Sequence, residues 1–528
     1  MSNKVQQFQL SGAHANAGVL AALRSEFDLE IEPEHTVTIT FYDTFDWRLY
    51  QAGTQLRRES RGRERQLVWA GLDAERTLGT LNLEGEMPRF AWDFPAGTLR
   101  EGLEPLLAAR ALLPLVEVKS RQRVLRMLDD EEKTVLRLVL EAQEGREAGK
   151  ADPVPLEGRL RVCPVRGYHK PWRRMLRFLE EGLELAPLEG NLLDETLAAV
   201  GRRPMDYTSK LNFRFKPGMP AQQAAREIHL HLLDTIETNL NGTRLDLDSE
   251  FLHDLRVAVR RTRSALTQIK GVFPEPAVEV FKEGFAWVGQ ATGPTRDTDV
   301  YQLGFGEYRQ SLRPEFRQDL DPLHAFLVRH QKSEHREMVK KLNSPHFRKL
   351  LKDWRSFLEN PPQGGAPNAS RPVCEVAGER IWKMYRRVMK EGEAITEVSP
   401  PEDLHELRKS CKKLRYLIEF FRSIYPSKEV AQAIKEIKVL LDNLGNHQDL
   451  EVQAHKLREF AHQMVAEGQV PPDTLLAMGM LVDGLLERQR LARAEFQARF
   501  AAFAAASNTK LFTGLFGRPG GERKGKKR

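Results

Sequence analysis

Apolar and polar positions change rhythm part-way along the chain. Over 1–205 short alternating runs dominate. Residues 36–42, TVTITFY, are rich in β-branched and aromatic side chains and predict a strand. Residues 5–10, 55–58, 65–69, 115–123, 134–141 and 159–165 predict further strands, while 18–27, 172–182 and 192–200 read as helices. From residue 221 apolar positions recur three and four apart almost without a break, through 221–239, 277–291, 300–310, 321–342 and 345–358. Helices linked by short loops predict bundles. Proline and glycine in 215–220, FKPGMP, mark a domain boundary, and 359–372, ENPPQGGAPNASRP, is the one long breaker-rich run in the second part.

That run separates two copies of one helix. LHDLRVAVRRTRSALTQIKGVFP (252–274) recurs as LHELRKSCKKLRYLIEFFRSIYP (404–426), an offset of 152 residues. Leu252, His253, Leu255, Arg256, Arg263 and Pro274 recur as Leu404, His405, Leu407, Arg408, Arg415 and Pro426. Arg260 and Arg261 become Lys412 and Lys413, so charge persists where identity does not. At the same offset Gly293, Asp297 and Val300 meet Gly445, Asp449 and Val452.

At 100° per residue His253, Arg256, Arg260 and Arg263 occupy an arc of roughly 80°. Leu252, Leu255, Val259 and Leu266 form a separate stripe about 90° round. The second copy sets His405, Arg408, Lys412 and Arg415 beside Leu404, Leu407, Cys411, Leu414 and Ile418. Acidic partners at helical spacing are almost absent, although a stabilising solvated face interleaves glutamate with lysine. Cations lined up in this way repel one another and call for an anionic partner.

Charge distribution points to the same half. Residues 1–215 hold 31 basic and 33 acidic side chains, whereas 216–528 hold 50 and 41. The net charge of +7 thus comes from the repeat-bearing part. Cys163, Cys374 and Cys411 are too few and too scattered for a disulfide or zinc framework and fit a reducing cytoplasm. No apolar run approaches the ~18 residues of a membrane span, and the N-terminus lacks the apolar core of a signal peptide. There is no Walker A loop, no H-E-x-x-H and no paired C-x-x-C. No nucleophile–base–acid set stands out, so no catalytic residue, metal or cofactor is assigned.

The pattern H-x-x-R-x-x-x-[RK]-[RK]-x-R, present twice, resembles the CHAD family (conserved histidine α-helical domain) over about 220–510. Gly293, Arg296, Asp297 and Gly445, Asn446, Gln448, Asp449 resemble that family's G-x-x-[RN]-D segment, with Gln448 a small departure. The resemblance implies two pseudo-symmetric four-helix bundles, about 221–358 and 373–510, joined by 359–372, with inorganic polyphosphate held in a basic groove between them. The residues expected there are His253, Arg256, Arg260, Arg261, Arg263, His405, Arg408, Lys409, Lys412, Lys413 and Arg415, joined by Lys383, Arg387 and Lys438. Asp297 and Asp449 are expected to orient arginines. The basic tail, 511–528, would add non-specific affinity.

A second resemblance lies in Tyr42-Asp43-Thr44-Phe45-Asp46-Trp47-Arg48-Leu49, Gly53, Leu56-Arg57 and the basic run 115–123. These are similar to the CYTH family of triphosphate tunnel enzymes, which implies an α+β domain over 1–205 with an eight-stranded antiparallel tunnel, then a linker at 206–220. The family's E-x-E-x-K strand is here Val5-Gln6-Gln7-Phe8-Gln9, and its later acidic strand reads Arg159-Leu160-Arg161-Val162-Cys163. Arginine cannot ligate a hard divalent cation. Glu141 could stand in for one acid, and Arg57, Lys119, Arg121 and Arg123 would remain as a residual basic pocket. The expectation is a non-enzymatic, cytoplasmic polyphosphate-binding protein, attached to polyphosphate granules if the resemblance holds. A metal-dependent triphosphatase and a nucleic-acid binder are the alternatives.

Overall fold

The computed structural model describes residues 5–10, 15–73, 76–362, 366–468 and 470–517. The chain divides into two compact units, Met1–Ser209 and Lys210–Arg528. Both ends of the expected linker are packed in place. Trp47 Nε1 donates to Asp206 Oδ1 at 2.8 Å, and Tyr207 lies against Phe45, 4.5 Å between ring centroids. Phe215 is buried in the helical core, with Phe213 stacked on it.

The first unit is one antiparallel sheet. Its strands are β1 (Gln6–Leu10), β2 (Leu29–Ile31), β3 (His35–Asp43), β4 (Thr54–Arg61), β5 (Glu64–Gly71), β6 (Thr77–Asn82), β7 (Leu113–Leu128), β8 (Thr134–Glu147), β9 (Val154–Pro155) and β10 (Gly158–Pro164). Eight pair in the order β1-β10-β8-β7-β3-β4-β5-β6, while β2 adds to β7 and β9 to β8. The predicted strands all form, and β2, β6 and β9 are additional. The three are short or weakly apolar, which is why alternation did not reveal them. In β10, Leu160 and Val162 enter the core beside Phe8 and Leu10 of β1, which leaves Arg159 and Arg161 on the opposite face.

The second unit is helical: α1 (Ala221–Arg244), α2 (Ser249–Gln268), α3 (Glu275–Ala291), α4 (Gly293–Leu303), α5 (Asp321–Leu342), α6 (Pro345–Glu359), α7 (Val373–Glu393), α8 (Pro401–Phe421), α9 (Ser427–Ala466), α10 (Pro472–Phe503) and α11 (Ala506–Phe516), with a short helix at Phe305–Ser311. The offset of the sequence repeat reappears as a pseudo-twofold. Pro220 and Pro372 pair in an isolated antiparallel bridge, and the two flanking hydrogen bonds exchange partners: Ala221 N to Arg371 O at 2.9 Å, Val373 N to Met219 O at 2.8 Å. The two halves do not keep separate cores. Leu255 and Leu407 belong to one buried cluster, and a second joins Phe326 and Tyr301 to Leu457 and Phe460. Among the described residues no helix is long and apolar enough to cross a membrane.

Candidate anion-binding site

The two basic helices are built alike and touch. Asp248 caps α2, its Oδ1 accepting from Glu250 N at 2.9 Å and Phe251 N at 3.2 Å. Pro401 opens α8 at a position where a missing N–H costs nothing. Leu252, Leu255, Val259 and Leu266 are buried on one helix, and Leu404, Leu407, Cys411, Leu414 and Ile418 on the other. Burial of these stripes fixes both rotations and sets the cationic stripes beside the contact. There Arg260 Nε donates to Tyr416 Oη at 2.9 Å. Arg261 and Arg415 converge on Glu419 at 3.5 and 3.4 Å, with both guanidiniums over the Tyr416 ring. Lys412 lies in the fields of Arg408, Arg260 and Arg415, and burial followed by these cations pulls its ammonium down to about 8. Among the described residues no carboxylate forms an ion pair with Arg260, Arg263 or Lys412.

The arginine after each histidine is oriented rather than free. Arg408 Nη2 reaches Asp449 Oδ1 at 2.9 Å, as the repeat led us to expect. Arg256 instead donates through Nη1 to Gly289 O and Thr292 Oγ1, each at 2.9 Å, with Asp297 supplying field. These arginines lie over the recurring glycines: a Cβ at Gly293 or Gly445 would make ordinary contact with them, 3.7 Å from Arg256 Nη1 or 3.8 Å from Arg408 Nη2. His405 Nδ1 is 2.6 Å from Gln448 Oε1, whereas Arg296 at the matching position of the first copy donates to Ser249 O at 3.2 Å. His253 is held below its ordinary value by burial and then by Arg296, and is therefore neutral near pH 7. Arg408, Lys412 and Arg415 line a cavity of about 280 Å³ with Gly445, Asn446 and Asp449.

The sheet unit holds a cavity of about 590 Å³ lined from β1, β3, β4, β7, β8 and β10. Of the residual basic pocket only Arg57 reaches it. Lys119, Arg121 and Arg123 alternate with Gln122, which does line it, so they fall on the other face of β7. Lys119 pairs with Glu144 at 3.6 Å and Arg123 with Glu34 at 3.2 Å. The cavity's cations are Arg57, Arg76, Arg159 and Arg161. Arg57 is bound by Glu59 at 2.7 Å, Arg161 by Glu141 at 2.7 Å, and Arg159 by Glu195. Glu141 also accepts from Gln122 and Gln143, and its burial raises its carboxyl against the opposing pull of Arg161 and Arg159. With its acids held by guanidiniums, this donor set does not fit a divalent metal, and the described residues include no group of three or more candidate ligands. The segment 42–49 is structural: Asp43 accepts from Thr44 N, Leu49 N and Tyr50 N at 2.6, 2.9 and 2.9 Å, folding the turn after β3. Burial lifts Asp43 to about 6.

Residues 227–458 match the family model of the CHAD domain. This part of the chain is a CHAD domain. An uncharacterized protein of Mycobacterium tuberculosis is 26% identical over 357 residues, 62% of this chain and 62% of its own length. The chain thus spans about three-fifths of the curated relatives it matches. The CHAD domain from the plant Ricinus communis is similar at 23% identity and TM-score 0.48, covering 56% of this chain and 95% of that one. A Hippeastrum protein described as having a dominant triphosphatase activity is similar at 13% identity and TM-score 0.27, covering 39% of this chain and 99% of that one.

Not all expected groove residues of the CHAD domain gather at the α2–α8 contact. Lys409 and Lys413 sit about 100° round α8 from Arg408 and Lys412. There Lys409 pairs with Glu406 at 2.5 Å, and Lys413 feels Arg387. Arg387 pairs with Glu391 at 2.6 Å. Lys383 and Arg387 line a different cavity, of about 990 Å³, between the end of α2 and α7. Lys438 is exposed on α9, one turn before Asp442 on the face that lines the small cavity. The tail falls outside the described residues from 518 onward. Tyr416 and Glu419, where the first copy has Ser264 and Thr267, are the positions at the α2–α8 contact that the repeat alone did not expose. The spacing of Glu419 four residues after Arg415 was the available signal.

Proposed function

We propose that the CHAD domain binds inorganic polyphosphate without chemical turnover, along the cationic ridge where α2 and α8 meet. The observation that carries this reading is the adjacency of Arg260 and Lys412, one from each half, with no ion pair on either among the described residues and only the field of Asp449 opposing the cations around Lys412. Like charges held together in this way raise the free energy of the empty site, and a polyanion relieves it. At about 4 Å one such pairing contributes about 1 kcal/mol in bulk water and about 4 at an effective dielectric of 20. Polyphosphate repeats its charge at each unit, so one chain meets both copies of the helix. Arg260 and Arg263 supply forked donors, and Lys412 a point charge. Arg408 and Arg256, already oriented, present their remaining N–H groups. Nucleic acid fits less well, because the one aromatic ring of the ridge, Tyr416, is buried under guanidiniums and offers no face for base stacking. Attachment to polyphosphate granules would follow from such a site. The sheet unit, its acids engaged by arginines, is read as inactive toward triphosphate.

The test is calorimetry of the full-length chain with long-chain polyphosphate, with a phosphate-release assay on the same sample. Saturable binding, no release with Mg²⁺, and displacement of a labelled oligonucleotide at matched salt are expected. Release of phosphate, or an oligonucleotide that outcompetes polyphosphate, would contradict the proposal.

A further inference from the structure

The cavity of about 990 Å³ between the end of α2 and α7 holds more positive charge than its own acids answer. It has the size of a small-molecule site, and none of Arg260, Lys412 and Tyr416 lines it. Of its carboxylates, Glu379 is taken by Arg371 at 2.6 Å and Glu279 by Lys282 at 2.7 Å. Glu275 is left to face Lys270, Arg380, Lys383, Arg386 and Lys390, and among the described residues none of these five cations forms an ion pair. Arg380 is half-buried. Its Nε donates to Gln268 O at 2.7 Å, and burial pulls its guanidinium below its ordinary value against the weaker opposing field of Glu379. Its Nη groups have no partner among the described residues and are not sealed from solvent.

The pseudo-twofold supplies a control. In the other half α1 takes the place of α7 at the offset of 152 residues. Where α7 has Lys383, Arg386 and Lys390, α1 has His231, Asp234 and Thr238, and the counterpart of Arg380 is a fully buried Ile228. The bundle therefore does not need cations at these positions. On α7 the three exposed cations fall within an arc of roughly 60° and along about 10 Å, which suits a short run of phosphates. Beside them Trp382, where α1 has Leu230, joins Val278 and Met384 in an apolar floor. Tyr385 holds the half-buried Trp382 ring by stacking, 5.5 Å between centroids, a fixed flat surface of the kind on which a base stacks. Inorganic phosphate chains have nothing to set against such a floor. We infer that this cavity binds a nucleoside triphosphate, its base against Trp382 and its phosphates on Arg380, Lys383, Arg386 and Lys390.

Calorimetry of the full-length chain with ATP, GTP, CTP and UTP in turn tests this, in EDTA so that no metal-dependent turnover intrudes, and with the Arg260→Glu/Lys412→Glu variant so that the α2–α8 ridge is silent. At least one nucleotide should saturate a single site, roughly ten-fold more tightly than tripolyphosphate, the effect of stacking one base. Trp382→Leu, which borrows the residue of the equivalent α1 position, should erase that advantage. Arg386→Asp/Lys390→Thr, borrowed in the same way and confined to exposed side chains, should abolish nucleotide binding with the helical circular dichroism unchanged. The inference is overturned if no nucleoside triphosphate binds, if tripolyphosphate binds as tightly as every nucleotide, if Trp382→Leu leaves the affinity unaltered, or if binding survives Arg386→Asp/Lys390→Thr. Polyphosphate binding by the ridge is read separately, on the chain with Arg260 and Lys412 intact.

Discussion

Both units gather arginines, and they treat them in opposite ways. In the sheet unit each cavity arginine with a defined ion pair meets a carboxylate on the same strand, a neighbouring strand or a nearby helix: Arg57 with Glu59, Arg161 with Glu141, Arg159 with Glu195. In the CHAD domain Arg260, Arg263 and Lys412 form no ion pair among the described residues, while Arg261 and Arg415 share Glu419 and Arg408 holds Asp449. A basic motif is therefore half a statement. Whether it binds an external anion depends on whether the fold brings its own.

The contrast can be broken most severely in the sheet. Glu141→Leu takes the shared buried acceptor from Gln122, Gln143 and Arg161, and should cost about 3 kcal/mol in denaturant unfolding of the full-length chain. Reversing an unpaired CHAD cation should leave unfolding nearly unchanged. Salt separates the regions next. Polyphosphate affinity should fall ten-fold or more between about 50 and about 200 mM salt, because the ridge exchanges counterions for phosphates. Glu419→Gln makes the paired part of the ridge resemble the unpaired part. With Arg261 and Arg415 released, calorimetry should show polyphosphate binding about five-fold more tightly, the equivalent of about 1 kcal/mol.

The smallest effect is the pH dependence. Lys412 sits at about 8, below its ordinary value, so it loses its proton as pH rises through that point. A bound anion favours the charged form, so affinity should weaken two- to three-fold, roughly, between about pH 7 and about pH 9. Lys412→Arg should flatten the profile. Folding stability has the opposite sign: the charged lysine is penalised only in the folded state, so stability rises over the interval from about 8 to the unfolded value of 10.5.

What the sequence made legible follows from repetition and rhythm. The in-register copies located α2 and α8, and the recurrence of Gly293 with Asp297 and Gly445 with Asp449 foretold an acid beside an arginine, realised as Arg408–Asp449. Strand alternation also marked Arg159 and Arg161 as sharing a face. The sequence did not reveal which carboxylates cross the fold to meet them, since Glu141 and Glu195 are distant in sequence and become neighbours only through strand pairing and helix docking. For the same reason Lys119, Arg121 and Arg123 looked like a pocket: their β7 face was fixed by burial of Val118 and Ser120 on the opposite side. Lys383 and Arg387 line the cavity between the end of α2 and α7 rather than the α2–α8 contact, because helix spacing orders residues around one helix and says nothing about which neighbour that face meets.

The shared ridge is tested most directly by calorimetric titration of the Arg260→Glu/Lys412→Glu chain with long-chain polyphosphate, with its helical circular dichroism recorded alongside. Arg260 is exposed and Lys412 half-buried, and neither has an ion-pair partner to lose, so the helical signal should match that of the unaltered chain. The account predicts no measurable binding heat from that folded variant; polyphosphate binding at the original affinity would contradict it.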